Sequence, residues 1–432
     1  MRGTLPLLLA AAAAADRPDA KGDRFDAVRA RLRDAVDEGA FPGCVAVVAR
    51  GDETLFREAF GSLVYDGGAA PPLGPNAAVT PATRFDVASL TKVAATTTAA
   101  AKLYELGSLG LDDAVSTHLG AAYESNGKAN VTIRHLLTHT AGFPPDPVPN
   151  FWDPAFGCAE TAAPSPPEDF GCRDRIYDAV LNQTLSRPPG EAFNYSDLSM
   201  ITLAYVVGAV VEREALVADR ELRPGCLGTG GPGARQCYYE AFALKGLRAY
   251  GANATFLPPK DEWPLIPPTW NDTAGFAPPG GPPYRKRVLQ GQVSDANSYA
   301  LGGIAGHAGL FATADDLRRL VAGVLQGAGY LNATTTTLFT TIQDRQLSSR
   351  ALGWDTNDYA TNALRQCGNL SSATFTHTGY TGTQVCGDPK RDLATVLFSN
   401  RVYPRADDAS LAAIEAARRD FNNLVLAAVV GG

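Results

Sequence analysis

The hydrophobic pattern of the chain opens with Phe25, Val28, Leu32 and Val36 at the spacing of one helix face, closed by Gly39. Two apolar runs follow, Cys44 to Ala49 and Thr54 to Phe60, separated by Arg50-Gly51-Asp52-Glu53. They read as a β-hairpin, and the unbroken apolar first run predicts a strand covered on both faces. A loop rich in Gly, Pro and Ala from Asp66 to Pro81 leads to a helix predicted from Ser89 to Leu106, stopped by Gly107. From Leu111 to about Val211 the spacing is mostly helical, broken by a Pro-rich stretch between Pro144 and Pro167. Between Gly225 and Pro283 Gly and Pro dominate, which predicts long loops with one helix near Tyr238 to Tyr250. Strand-like runs return at Thr374-Phe375-Thr376-His377 and at Leu393 to Phe398, and a last helix is predicted over about Asp408 to Val429.

Strands near both ends with helices between them predict an α/β fold of the α+β type. An antiparallel sheet built from both chain ends is flanked by helices, a mostly helical lobe is inserted, and the active site lies between them. The expected sheet lobe covers about 23–95 and 297–432, and the helical lobe about 96–296 with a Pro/Gly-rich insertion at 213–296. Together they form a single catalytic domain over 16–432, without internal repeats. Residues 1–15 place one positive charge before a short apolar run ending in small residues, the layout of a secretory leader cleaved near Ala15. That run is too short to span a membrane.

Composition adds support for export. Six of the seven Cys fall into close pairs, Cys158/Cys172, Cys226/Cys237 and Cys367/Cys386. Local pairing is the favoured one among the connectivities that six Cys permit, and Cys44 is left as a buried thiol. Sequons start at Asn130, Asn182, Asn194, Asn253, Asn271, Asn332 and Asn369. A net charge of −7 without any Lys/Arg block argues against a nucleic-acid surface or a polybasic membrane anchor. The expected partner is a small-molecule or peptide substrate. No cofactor is implied, and of the five His only His135 and His139, four apart on one predicted helix face, approach metal-ligand spacing. Leu136 and Leu137 between them favour a packed helix end over a zinc site. His307, among glycines, either lines a cleft or caps a turn, and His118 has no context.

The chemistry centres on Phe85-Asp86-Val87-Ala88-Ser89-Leu90-Thr91-Lys92. A serine hydroxyl needs a base to become a nucleophile, and a lysine three residues on along a helix lies on the same face. Such a lysine acts as base when desolvation or a neighbouring cation lowers its pKa. The spacing alone is common; two later segments give it weight. Tyr195-Ser196-Asp197 offers a phenol that can shuttle the serine proton. His377-Thr378-Gly379-Tyr380-Thr381-Gly382, on a predicted strand, lets a substrate backbone lie alongside, with the Tyr380 N–H joining that of Ser89 in an oxyanion hole. A glycan on Asn194 would obstruct Tyr195, so that sequon is expected to be unoccupied.

These segments resemble, in order, the three motifs of the serine β-lactamase and D-alanyl-D-alanine carboxypeptidase superfamily, in particular its class C β-lactamase-like branch. The S-x-x-K motif is Ser89 to Lys92, the tyrosine motif is Tyr195-Ser196-Asp197, and the K-T-G box is His377-Thr378-Gly379. Leu136 to Gly142 and Leu301 to Phe311 resemble further segments of the branch, and the similarity runs from about Phe25 to Val429. The resemblance implies that Ser89 is acylated, Lys92 is the main base and Tyr195 shares the proton relay. Asp197 stands where many relatives have Asn, so its charge either holds Lys92 protonated or favours an amine-bearing substrate. His377 replaces the usual Lys, and a neutral imidazole attracts a substrate carboxylate far less than an ammonium. The expected activity is hydrolysis of an ester or amide, of the esterase or D-amino-acid peptidase type; the alternative is a catalytically silent binding protein on the same fold.

Overall fold

The computed structural model describes residues 23–158, 172–224, 226, 232–274, 284–404 and 406–431. The predicted leader, the end of the Pro-rich stretch at 159–167 and parts of the 213–296 insertion lie outside the described residues. Helix α1 (Asp26–Asp37) is followed by the hairpin β1 (Gly43–Arg50) and β2 (Glu53–Gly61). The short β3 (Phe85–Asp86) precedes the Ser89 segment and α2 (Thr98–Glu105). Helices α3 (Val115–Leu119), α4 (Ile133–Leu137), α5 (Arg173–Asn182), α6 (Asp197–Arg213) and α7 (Arg235–Ala249) follow. Then come α8 (Ala296–Ala300), β4 (Phe311–Ala312), α9 (Ala314–Gln326) and α10 (Ala333–Thr340). The chain ends with β5 (Asp355–Thr356), β6 (Phe375–Thr378), β7 (Gln384–Asp388), β8 (Leu393–Ser399) and α11 (Asp408–Val430).

The main sheet has the order β2-β1-β8-β7-β6-β5, and its pairings are antiparallel. The β1–β8 register, Val45 opposite Phe398 and Val47 opposite Val396, joins the two ends of the chain. Because side chains alternate across a strand, β1 feeds two cores. Cys44, Ala46 and Val48 pack with α1 and α11 through Val28, Leu32, Phe421 and Val425. Val45 and Val47 face the larger core with Leu317 and Val321 of α9. This double burial is why β1 reads as a continuous apolar run, while edge strand β2 buries only Phe56 and Phe60.

Helix α6 is buried on all sides from Leu198 to Val211, as an all-round apolar helix requires. Its first residue is Asp197. Local chemistry starts other helices: the Thr313 side chain accepts from the Asp316 N–H at α9, and Asp407 from the Ser410 N–H at α11.

Two local expectations differ from the structure. The helix predicted to begin at Ser89 opens with tight turns, Thr91 N–H to Ala88 and Lys92 N–H to Ser89, and then widens into a π-helical stretch at Lys92–Thr97. The Thr98 hydroxyl donates to the Val93 carbonyl five residues back, using the side chain to bond the widened backbone. His135 and His139 do not share a helix face either, because α4 ends at Leu137 and His139 turns away with φ of 56°.

The three local disulfides pair as the spacing suggested, Cys158–Cys172, Cys226–Cys237 and Cys367–Cys386, and Cys44 is a buried free thiol. Cys367–Cys386 ties β7 to the segment before β6 over a separation of 19 residues. Closing a loop of that size constrains the unfolded chain by about 3 kcal/mol. Replacing both residues by Ser should lower the unfolding free energy by roughly that amount in urea titrations.

Candidate active site

The Ser89 turn is built by a buried carboxylate. Asp86 accepts from the Ala88 N–H at 2.9 Å through one oxygen and from the Ser294 N–H at 2.7 Å through the other. This holds Ala88 in the left-handed region at φ of 46°, a costly conformation for a residue with a Cβ, directly before Ser89. Burial, outweighing those hydrogen bonds, raises the Asp86 pKa. The connection between β6 and β7 is clamped to the same turn, with the Thr383 hydroxyl donating to the Val87 carbonyl and the Thr381 hydroxyl to the Asp86 carbonyl. Gly379 permits this approach: a Cβ there would lie 2.1 Å from Thr383 Oγ1 and 2.4 Å from the Val87 oxygen.

Lys92 is fully buried below Ser89. Its Nζ lies 2.8 Å from Ser89 Oγ, 3.1 Å from the His307 carbonyl oxygen and 2.8 Å from Asp197 Oδ1. An ammonium has three N–H groups, and here each has an acceptor. Burial alone would lower the Lys92 pKa, but the Asp197 carboxylate and then Tyr195 outweigh it and raise it above the ordinary lysine value. The lowered pKa expected of a general base is therefore not what the structure holds, because Asp197 supplies a counter-ion that burial cannot overcome.

The Tyr195 ring stands over the ammonium, its centroid 4.9 Å from Nζ. The His139 ring stacks against it at 4.6 Å while its Nδ1 accepts from the Ser196 N–H, so the positive-φ turn after α4 places His139 as a support for the tyrosine. Asn194 Nδ2 donates to the Phe143 carbonyl at 2.7 Å, which turns that side chain into the protein. His377 is buried 6.1 Å from the Tyr195 ring, with Nδ1 against the Thr378 carbonyl at 2.9 Å. Burial first, then the charges of Arg350 and Lys92, hold its pKa well below the ordinary histidine value, so it is a neutral imidazole donating through Nδ1.

Ser89, Tyr195 and Tyr380 line both lobes of an open cleft, of about 310 Å³ on the His377 side and about 300 Å³ on the Asp197 side. Among the described residues, neither the Ser89 nor the Tyr380 N–H donates to a backbone acceptor. The fold thus brings together every residue singled out from the sequence: Ser89, Lys92, Tyr195, Asp197, His377, Thr378, Gly379 and Tyr380.

Four further residues belong to this constellation. Asp86 and His139 lie inside the motif-like runs, and their signal was a polar residue in an apolar context. Asp295, held below the ordinary carboxylate range at about 2 because His307 outweighs its burial, meets His307 Nε2 at 2.8 Å. Arg350, 5.2 Å from the Tyr195 ring, carries no sequence signal. His307 lines the cleft and supplies a carbonyl to Lys92, which resolves the two readings its sequence allowed. Asp197, Asp295 and His307 converge closely enough to face a cation; Asp197 is engaged by Lys92 and Asp295 by His307.

A family model described as Beta-lactamase matches residues 28–418. The chain belongs to the β-lactamase family. A putative D-alanyl-D-alanine carboxypeptidase from Escherichia coli O157:H7 is 29% identical over 401 residues, covering 89% of this chain and 84% of that protein. Among solved structures, EstCE1, a hydrolase with promiscuous acyltransferase activity, superposes with a TM-score of 0.64 at 20% identity, covering 92% of this chain and 98% of that one. The class C β-lactamase from Rhodobacter sphaeroides gives 0.61 at 19% identity, over 93% and 99% of the two chains. These structural likenesses establish the shared mixed antiparallel fold.

Two outcomes test this β-lactamase-family site. Gly379→Ala should cut the rate of Ser89 labelling by a fluorophosphonate by about 10²-fold through misplacement, with far-ultraviolet circular dichroism unchanged. Asp197→Asn tests the ion pair by linkage. In the wild type the Lys92 contribution is complete below lysine's unfolded value of about 10.4 and is lost as pH rises through the higher folded value. Without Asp197 the burial cost is opposed by Tyr195 alone, and the part left uncompensated is relieved as lysine deprotonates. The stability gap between wild type and variant should therefore narrow from pH 7 to pH 10 in urea titrations; a constant gap would argue against the pair.

Proposed function

We propose that this chain is a secreted serine hydrolase acting through a Ser89 acyl-enzyme on an ester or amide bond. The observation that carries this reading is the contact between Ser89 Oγ and Lys92 Nζ at 2.8 Å, on the floor of an open cleft. The fixed ammonium complements charge developing on Ser89 as its oxygen attacks a carbonyl carbon. Tyr195 takes the serine proton as it passes its own to the leaving group, so Lys92 acts as an electrostatic partner and Tyr195 as the shuttle. The Ser89 and Tyr380 N–H groups receive the oxyanion. Water then attacks the acyl-enzyme with the same relay in reverse.

Family membership supports hydrolase chemistry, and the name of the Escherichia coli relative points to D-amino-acid peptides as one substrate class. The neutral His377 in place of an ammonium favours an ester or peptide over a dedicated β-lactam substrate. Three disulfides fit an oxidising compartment, and with the leader-like start they support secretion. No described helix is long and apolar enough to cross a membrane.

Fluorophosphonate or penicillin probes should modify Ser89, and an unmodified Ser89 in folded protein would sink the reading. On a p-nitrophenyl ester, Ser89→Ala should abolish turnover and Tyr195→Phe should lower kcat by about 10²- to 10⁴-fold.

A further inference from the structure

The two lobes of the cleft carry opposite charge. The lobe on the His377 side is lined by Arg350, Arg401 and Arg418 and by a single carboxylate, Asp355. Arg401 and Arg418 are each 3% exposed and are engaged with backbone: Arg401 Nε with the Tyr380 oxygen at 3.0 Å, Arg418 Nη2 with the Gly379 and Thr383 oxygens at 3.1 and 2.8 Å. Carbonyls satisfy N–H groups without neutralising the charge, and among the described residues neither guanidinium forms a salt bridge. Arg350 lies 3.6 Å from Asp355 through Nη2 and leaves Nη1 buried without a partner. Buried guanidinium charge of this kind is costly until an anion compensates it.

The lobe on the Asp197 side is lined by Asp146, Asp295 and His307 as well as Asp197. Asp197 is engaged with Lys92, and Asp295 with His307 and the Ser298 N–H. Asp146, at the exposed rim, has no partner among the described residues. His307 is 1% exposed, and its Nδ1 is unpartnered. Trp270 and Tyr380, with rings near perpendicular and 6.1 Å apart, form an aromatic wall of the kind that suits an ammonium group.

We propose that the site takes a small zwitterion, its ammonium in the Asp146–Asp295 lobe and its carboxylate in the Arg350 lobe, on opposite sides of the scissile bond. A short peptide with both ends free has this form, whereas a long peptide trimmed at its C-terminus does not. The proposal rests on the acyl-enzyme reading for the position of that bond. Ser89 Oγ bonds to the carbonyl carbon of the amine-bearing residue and the C–N bond breaks. The carboxylate-bearing residue leaves as an amine after taking the proton from Tyr195.

Calorimetric titration of Ser89→Ala with D-alanyl-D-alanine, its N-acetyl form and its C-terminal amide tests the idea without requiring turnover. The free dipeptide should bind, and blocking either end should weaken it by about tenfold or more. Arg350→Gln should erase the difference between acid and amide, and Asp146→Asn that between free and acetylated amine. Protection of wild-type Ser89 from a fluorophosphonate should follow the same order. Equal binding of the three peptides, or no binding of the free dipeptide at millimolar concentration, overturns the zwitterion proposal even if Ser89 is labelled. An unlabelled wild-type Ser89 overturns the acyl-enzyme reading instead, whatever the binding order.

Discussion

A lysine ammonium sealed from water must have acceptors for its three N–H groups and a counter-charge, and the site is organised around meeting that demand for Lys92. The acceptors come from three separate parts of the chain: Ser89 one turn before it, Asp197 at the start of α6, and the His307 backbone carbonyl. Displacing any of them would leave a buried N–H or charge unpaired. These three parts of the chain are thereby fixed relative to one another beside Ser89, whose Oγ is held by a group that cannot rotate away.

The strained turn at Ala88 is the complement of that constraint. Asp86 fixes it from one side, and the connection between β6 and β7 closes on it through Thr381, Thr383 and the absent side chain of Gly379. Backbone strain of this kind persists only where its surroundings over-determine it. Here those surroundings are Asp86 of β3, the connection between β6 and β7, and the loop that contributes Ser294. Ser89, the proposed nucleophile, is preorganised by the fold, which would leave little reorganisation for an attack on substrate.

Replacing the motif lysine by His377 moves the positive charge of the cleft. A buried, neutral imidazole keeps its Nδ1 proton on its own strand, while Arg350 brings a cation to the other edge of Tyr195. A positive charge lining the cleft is thus supplied from the loop before β5, a segment that none of the three motifs marks.

How much of this was legible in the sequence depended on whether the signal was local. β1, β8, α1 and α11 were visible because burial on one or both faces writes a period of two or 3.6 into the chain. The two-residue strands β3, β4 and β5 could not be seen, being too short for any period, and β7 offers Gln384 and Asp388 at its ends. Ser89, Lys92, Tyr195 and the His377 box were found by motif order, and Asp197 was recognised as a charge with two possible uses. The sequence by itself determined the fold class, the motif residues and the local disulfide spacing. Only the tertiary structure decided that Lys92 is an ammonium, that His377 is neutral, and that Arg350, Asp295 and His139 belong to the site. Protonation is set by burial and by charges distant in the chain, and those distances exist only once the strands and helices have packed.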